Sequence, residues 1–168
     1  FDYLSRHADP QGGYLWIHAS SLGEFEQGRP LIEAIKKAQP DTKILLTFFS
    51  PSGYEVRKDY SGADLICYLP FDLPGNVRRF LDLTKPTKAI FIKYEFWANY
   101  LNELKRRNIP TYIVSAIFRP KQIFFRSYGG YFRRILKNFT HLYIQDERSR
   151  QLLASIGIDN VSIVGDTR

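Results

Sequence analysis

Cysteine is nearly absent. Cys67 is the single one in 168 residues, so no internal disulfide can form, and its place in the run Leu65-Ile66-Cys67-Tyr68-Leu69 reads as a small core residue in a reducing compartment. Histidine is almost as sparse: His7, His18 and His141 are scattered, with no Cys or carboxylate at ligand spacing, so no metal is expected. No apolar run approaches the roughly 18 residues that span a bilayer, and the first residues lack a signal-peptide pattern. Methionine is missing altogether, and a strand pattern runs almost to the final Gly165-Asp166-Thr167-Arg168, so the chain is expected to be a piece of a longer protein. The dinucleotide pattern G-x-G-x-x-G and the Walker pattern are also missing, which removes the usual sequence support for hydride transfer and NTP hydrolysis; no cofactor is expected.

What is present is core material and positive charge. Hydrophobic residues make up 44% and aromatics 15%, enough to bury a sizeable core in one domain and to exclude disorder. Lys and Arg number 24 against 17 Asp and Glu, a net charge of +7 that favours phosphate-bearing partners: nucleic acid, nucleotide or an anionic membrane surface. Charge alone does not choose among them. Apolar runs at 14–19, 43–48, 65–69, 88–93, 111–116, 141–145 and 161–164 read as strands, and most are continuous rather than alternating, the pattern of strands covered on both faces. Helical stretches near 25–38, 53–59, 75–84, 96–107, 129–138 and 147–156 alternate with them, with no repeat or linker. The expected fold is one α/β domain with a doubly wound, mostly parallel sheet, whose ligands sit beyond the carboxyl ends of the strands.

The loops at those ends carry the candidate chemistry. His18-Ala19-Ser20-Ser21-Leu22-Gly23-Glu24 joins a strand to an amphipathic helix and puts Glu24 in the first helical turn, where the helix dipole favours an ionised carboxylate. Gly23 leaves the backbone open to a ligand. Glu24 has two readings, a favoured first-turn residue or a general base. Glu95, after Ile90-Phe91-Ile92 and before Phe96-Trp97, reads either as a helix cap or as a partly desolvated acid. Asp72, between Pro70 and Pro74, reads as a turn-holding residue. Ser50 and Ser52 with Gly53 offer hydroxyls and amides for an anion. From Phe118 to Lys137, cations including Arg119, Lys121 and Arg126 mix with large aromatics, suited to stacking on nucleic acid, to an anionic bilayer, or to a helix with a buried ring face and a solvated cationic one.

Taken in order, His18 to Glu24, Thr47-Phe48-Phe49-Ser50-Pro51-Ser52-Gly53, Pro70-Phe71-Asp72-Leu73-Pro74, Tyr94-Glu95-Phe96-Trp97-Ala98-Asn99 and Gly165 to Arg168 resemble the N-terminal half of bacterial 3-deoxy-D-manno-octulosonic acid (Kdo) transferases. The resemblance covers nearly the whole chain and implies a Rossmann-like N-terminal, acceptor-binding half of a GT-B glycosyltransferase that moves Kdo from CMP-Kdo to a lipid A precursor in lipopolysaccharide biosynthesis. The family's Ser-x-Gly-Glu motif falls on Ser21-Leu22-Gly23-Glu24, which implies Glu24 as catalytic base. Ser21, Gly23, Ser50, Ser52, Gly53, Glu95, Arg119, Lys121 and Arg126 are then expected to bind or support the acceptor. Ala98 replaces the family's usual Pro, Lys93 stands where an acid is common, and Phe48 and Phe49 depart from a more polar pattern. A membrane anchor before Phe1 and a CMP-Kdo-binding domain after Arg168 are implied, with the protein at the cytoplasmic face of the inner membrane, this piece soluble and inactive alone, and no nucleic-acid partner. A related envelope enzyme using a UDP-sugar, such as a lipid A disaccharide synthase relative, and a non-catalytic nucleic-acid-binding domain are the alternatives.

Overall fold

Continuous apolar runs become seven short strands in a computed structural model that describes residues 1–93 and 96–164. They are β1 (Leu15–His18), β2 (Ile44–Phe48), β3 (Leu65–Tyr68), β4 (Lys88–Ile92), β5 (Thr111–Ala116), β6 (His141–Ile144) and β7 (Val161–Ile163). All pairings are parallel, in the order β3-β2-β1-β4-β5-β6-β7. Strand order therefore reverses beside β1, and the crevice beyond β1 and β4 is where such sheets bind ligands. Lys85, Lys93 and Asn108 have φ of 44°, 66° and 58° at the turns that start or stop elements.

The helices are α1 (Asp2–His7), α2 (Leu22–Ala38), α3 (Pro51–Arg57), α4 (Pro74–Thr84), α5 (Ala98–Arg106), α6 (Gly130–Leu136) and α7 (Glu147–Ser155). Strand side chains alternate between faces, so Trp16, Leu45, Ala89 and Phe91 join a core with Phe80, Tyr100, Leu136 and Leu153 from α4 to α7. Leu15, Ile17, Leu46 and Ile92 face the other way, onto Phe25 and Ile32 of α2. Two glycines set how closely α2 and α3 approach. A Cβ on Gly28 would lie 2.0 Å from Ile92 Cδ1, and one on Gly53 would lie 2.4 Å from the Phe48 ring and 3.2 Å from the Leu22 backbone nitrogen. On the α2 side, a cavity of about 720 Å³ is lined by Leu31, Ile35, Ile90, Tyr112, Val114 and Tyr143, away from the loops at the carboxyl ends of β1 to β3. Among the described residues no helix is long and apolar enough to cross a membrane.

Candidate functional site

β1 ends at His18, and the chain passes through Ser20 and Ser21 into α2. Ser21 has extended backbone (φ −136°, ψ 171°) and caps the helix, its Oγ accepting from the Glu24 N–H at 3.4 Å. Glu24 reaches back: its Oε2 accepts from the Ser20 N–H at 2.9 Å. The carboxylate thus takes the amide of the residue before the N-cap, one position earlier than the N-cap amide used in a Ser-x-x-Glu capping box. The capping reading of Glu24 is therefore realised in its contact with the helix start. Gly23, exposed on the first turn, has no atom closer to a notional Cβ than Ser21 Oγ at 4.0 Å, so the approach to this turn is open.

Ser20 ties the neighbouring loop to the same point. Its carbonyl accepts from the N–H groups of Phe49 and Ser50 at 3.2 and 2.7 Å. Ser50 caps α3, accepting from the Ser52 N–H at 3.1 Å, and the two serine hydroxyls lie 2.6 Å apart. Those contacts account for both side chains as a cap on a helix of seven residues. Gly53 is buried, and the clash described above makes it a packing residue rather than part of an open anion cradle.

Beneath Ser20 runs a buried polar line. Trp16 Nε1–H donates to Thr47 Oγ1 at 2.8 Å, Thr47 Oγ1 lies 2.7 Å from His18 Nδ1, and His18 Nε2 lies 3.0 Å from Ser20 Oγ. His18 and Thr47 are fully buried and paired in register across β1 and β2. Beside the line, the Trp97 ring centroid lies 5.9 Å from that of His18 and 5.0 Å from that of Phe49, which in turn meets Phe71 at 5.9 Å. Phe49, Phe71 and Leu73 are exposed, so three loops build an aromatic shelf next to the Glu24 turn. Asp72 behaves as the turn residue expected: it accepts from the Asn99 and Tyr100 N–H groups, while Tyr100 Oη donates to the Pro70 carbonyl at 2.7 Å. Burial raises the Asp72 carboxyl above its ordinary range against the pull of those amides. Glu95, and the Gly165 to Arg168 motif, lie outside the described residues.

In the Phe118–Lys137 stretch the rings divide between inside and outside. It is not a single outward face, because Phe118 and Phe124 are buried against Phe96 at 5.9 and 5.0 Å. The exposed rings are Tyr128, Tyr131 and Phe132. Arg119, Lys121 and Arg126 are exposed, with Arg126 Nε donating to the Lys121 carbonyl at 3.3 Å. Arg133 instead holds the loop together, donating to the carbonyls of Phe124 and Arg126.

His18, Thr47 and Ser20 are the residues that motif reading passes over. A signal for two of them exists: Trp16, His18 and Ser20 follow at the strand period of two, so polar atoms climb one side of β1 toward its end.

The parallel sheet and its flanking helices define a Rossmann-like domain, with the polar loop after β1 lying at the topological switch point. The same fold is seen in the UDP-GlcNAc 2-epimerase of Neisseria meningitidis, whose structure superposes with a TM-score of 0.67 at 16% identity over 92% of this chain and 47% of that one. The chain belongs to the 3-deoxy-D-manno-octulosonic-acid transferase (Kdo transferase) family, whose N-terminal model matches residues 2–168. The Kdo transferase of Haemophilus influenzae is 29% identical over 95% of this chain and 38% of its own length, and that of Aquifex aeolicus is 30% identical over 93% and 40%. The chain thus spans about two-fifths of these relatives.

Proposed function

We propose that this chain is the acceptor-side half of a Kdo transferase that uses CMP-Kdo as donor and a lipid A precursor as acceptor at the cytoplasmic face of the inner membrane. Family membership supports the transfer chemistry, and one observation carries the site: a carboxylate, Glu24, held by the Ser20 N–H at the carboxyl end of β1, beside the switch point. In the reaction, an acceptor hydroxyl oxygen bonds to the anomeric carbon of Kdo while that carbon's bond to the CMP phosphate oxygen breaks. CMP leaves with the electron pair, and the hydroxyl proton passes to Glu24. A sugar hydroxyl is a weak nucleophile, so a positioned base contributes about 10²- to 10⁴-fold. The aromatic shelf of Phe49, Phe71 and Trp97 suits the apolar faces of sugars or acyl chains. The exposed cations Arg119, Lys121 and Arg126 suit phosphates, and Tyr128, Tyr131 and Phe132 suit a membrane interface. The test is donor competition on the full-length protein with a lipid A precursor. Transfer from CMP-Kdo and none from UDP-sugars is expected; transfer from a UDP-sugar alone overturns the donor assignment.

A further inference from the structure

His18 and Thr47, both fully buried, lie directly beneath the loop that carries Glu24, and the proton transfer described above uses neither. Polar groups buried among Trp16, Phe91 and Trp97 are costly unless each donor meets an acceptor, so the contacts that Thr47 makes favour one placement of the protons. Trp16 Nε1–H only donates, and its acceptor is Thr47 Oγ1. The threonine hydroxyl has one proton of its own, 2.7 Å from His18 Nδ1. A proton on Nδ1 would turn two donors onto Thr47 Oγ1 and deny the threonine proton that acceptor. With Nδ1 bare, the threonine donates to it and the ring proton sits on Nε2, 3.0 Å from Ser20 Oγ. Ser20 Oγ then accepts from the imidazole, which leaves the serine proton to be given outward. Among the described residues, the structure shows no partner for that hydroxyl other than the His18 ring, and Ser20 is only half-buried.

Resting on the transferase reading above, we propose that Ser20 donates a hydrogen bond to an oxygen of the acceptor sugar, and that His18 is the positioning residue that aims it. Ser20 is suited to this because its own N–H holds Glu24 Oε2 at 2.9 Å. One residue thereby fixes the base through its backbone and meets the sugar through its side chain. Its carbonyl, taken by Phe49 and Ser50, keeps the peptide from turning. The line of donors runs Trp16 to Thr47 to His18 to Ser20, from the core toward the crevice.

The tautomer is measurable without any turnover. In the full-length protein labelled with 15N-histidine, the His18 resonances, assigned by their loss in His18→Asn, are expected to show a neutral ring with Nε2 protonated and Nδ1 bare. Protonation at Nδ1 overturns the aiming role whatever the enzyme transfers. The transferase reading fails separately, if the wild-type protein moves no Kdo. In acceptor kinetics, Ser20→Ala and His18→Asn are each expected to lower kcat/KM for the acceptor about tenfold, the order of one lost hydrogen bond. The double variant is expected to lose no more than either alone, since both remove the same contact. His18→Gln, which can present an amide N–H near the former Nε2, should recover part of the loss. Losses that multiply, or a Ser20→Ala enzyme with unchanged acceptor kinetics, overturn the proposal. Should His18→Asn fold poorly, Ser20→Ala and the wild-type tautomer, assigned then through His18→Gln, decide it.

Discussion

Replacing Glu24 by Gln separates its two roles, because the amide keeps an oxygen for the Ser20 N–H while losing the basicity. The cap contact at 2.9 Å survives the change, and so does the Ser21 contact to the residue's own N–H. What the folded state loses is the attraction between a charge and the first-turn amides of α2, about 0.3–1 kcal/mol at a partly exposed site. In a domain of this size that lowers the Tm of the domain by about 2–4 °C at most. The kinetic loss expected is far larger: 10²- to 10⁴-fold in kcat is about 2.7–5.4 kcal/mol of barrier. The measurement is the initial rate of Kdo transfer from CMP-Kdo to a lipid A precursor by the full-length variant, with thermal melting by circular dichroism beside it. A well-folded Glu24→Gln enzyme with near-normal turnover refutes the base assignment. A variant that melts far below wild type refutes the structural half of the reasoning, since it would mean that the cap depends on the charge.

Thr47→Val keeps the shape but removes the hydroxyl that Trp16 Nε1–H and His18 Nδ1 share in a fully buried site; a loss of about 1–3 kcal/mol is expected in denaturant unfolding, and a neutral change would show that neither bond matters. Replacing Arg119, Lys121 and Arg126 together by Gln should weaken binding to anionic vesicles by about 1 kcal/mol per cation, and unchanged binding in a sedimentation assay would make them a solvated face only. Arg106 and Arg107 hold the Glu103 carboxyl at about 2 against an ordinary 4.5. Its folded value lies below its unfolded one, so its stabilisation is complete above pH 4.5 and is lost as pH falls toward 2. Glu103→Gln should therefore flatten the stability curve in that window, measured by denaturant titration at a series of pH values; an acid limb identical to wild type counts against the ion pair.

The central strands were legible because burial on both faces, complete in β1 and β2, demands continuous apolar runs. The first helix, Asp2–His7, was not: six residues with only Leu4 buried carry no period to detect. The rings after Phe118 could not be sorted into inward and outward ones for a related reason. Those up to Phe125 sit in a loop and a short 3-10 turn at Ile123–Phe125, where neither the helical nor the strand period applies. Which ring turns inward is then decided by the Phe96 pocket and by Arg133 clasping the loop carbonyls, contacts no local pattern encodes.

Glu24 could be placed from sequence because the cap contacts described for it lie within five residues, from Ser20 to Glu24 itself. His18 could not, since its defining partner Thr47 is 29 residues away and becomes a neighbour only through the parallel register of β1 and β2. The same geometry removes the opposition between the two readings of Glu24. A base works only from within hydrogen-bond reach of the proton it takes, so a freely rotating carboxylate spends most of its time out of position. The cap holds one oxygen on the Ser20 N–H and thereby orients the other acceptor positions of the group before any substrate arrives. In the proposed reaction, capping is then the means by which a flexible side chain is held as the base, and the helix start at the carboxyl end of β1 would serve the chemistry through its structural role.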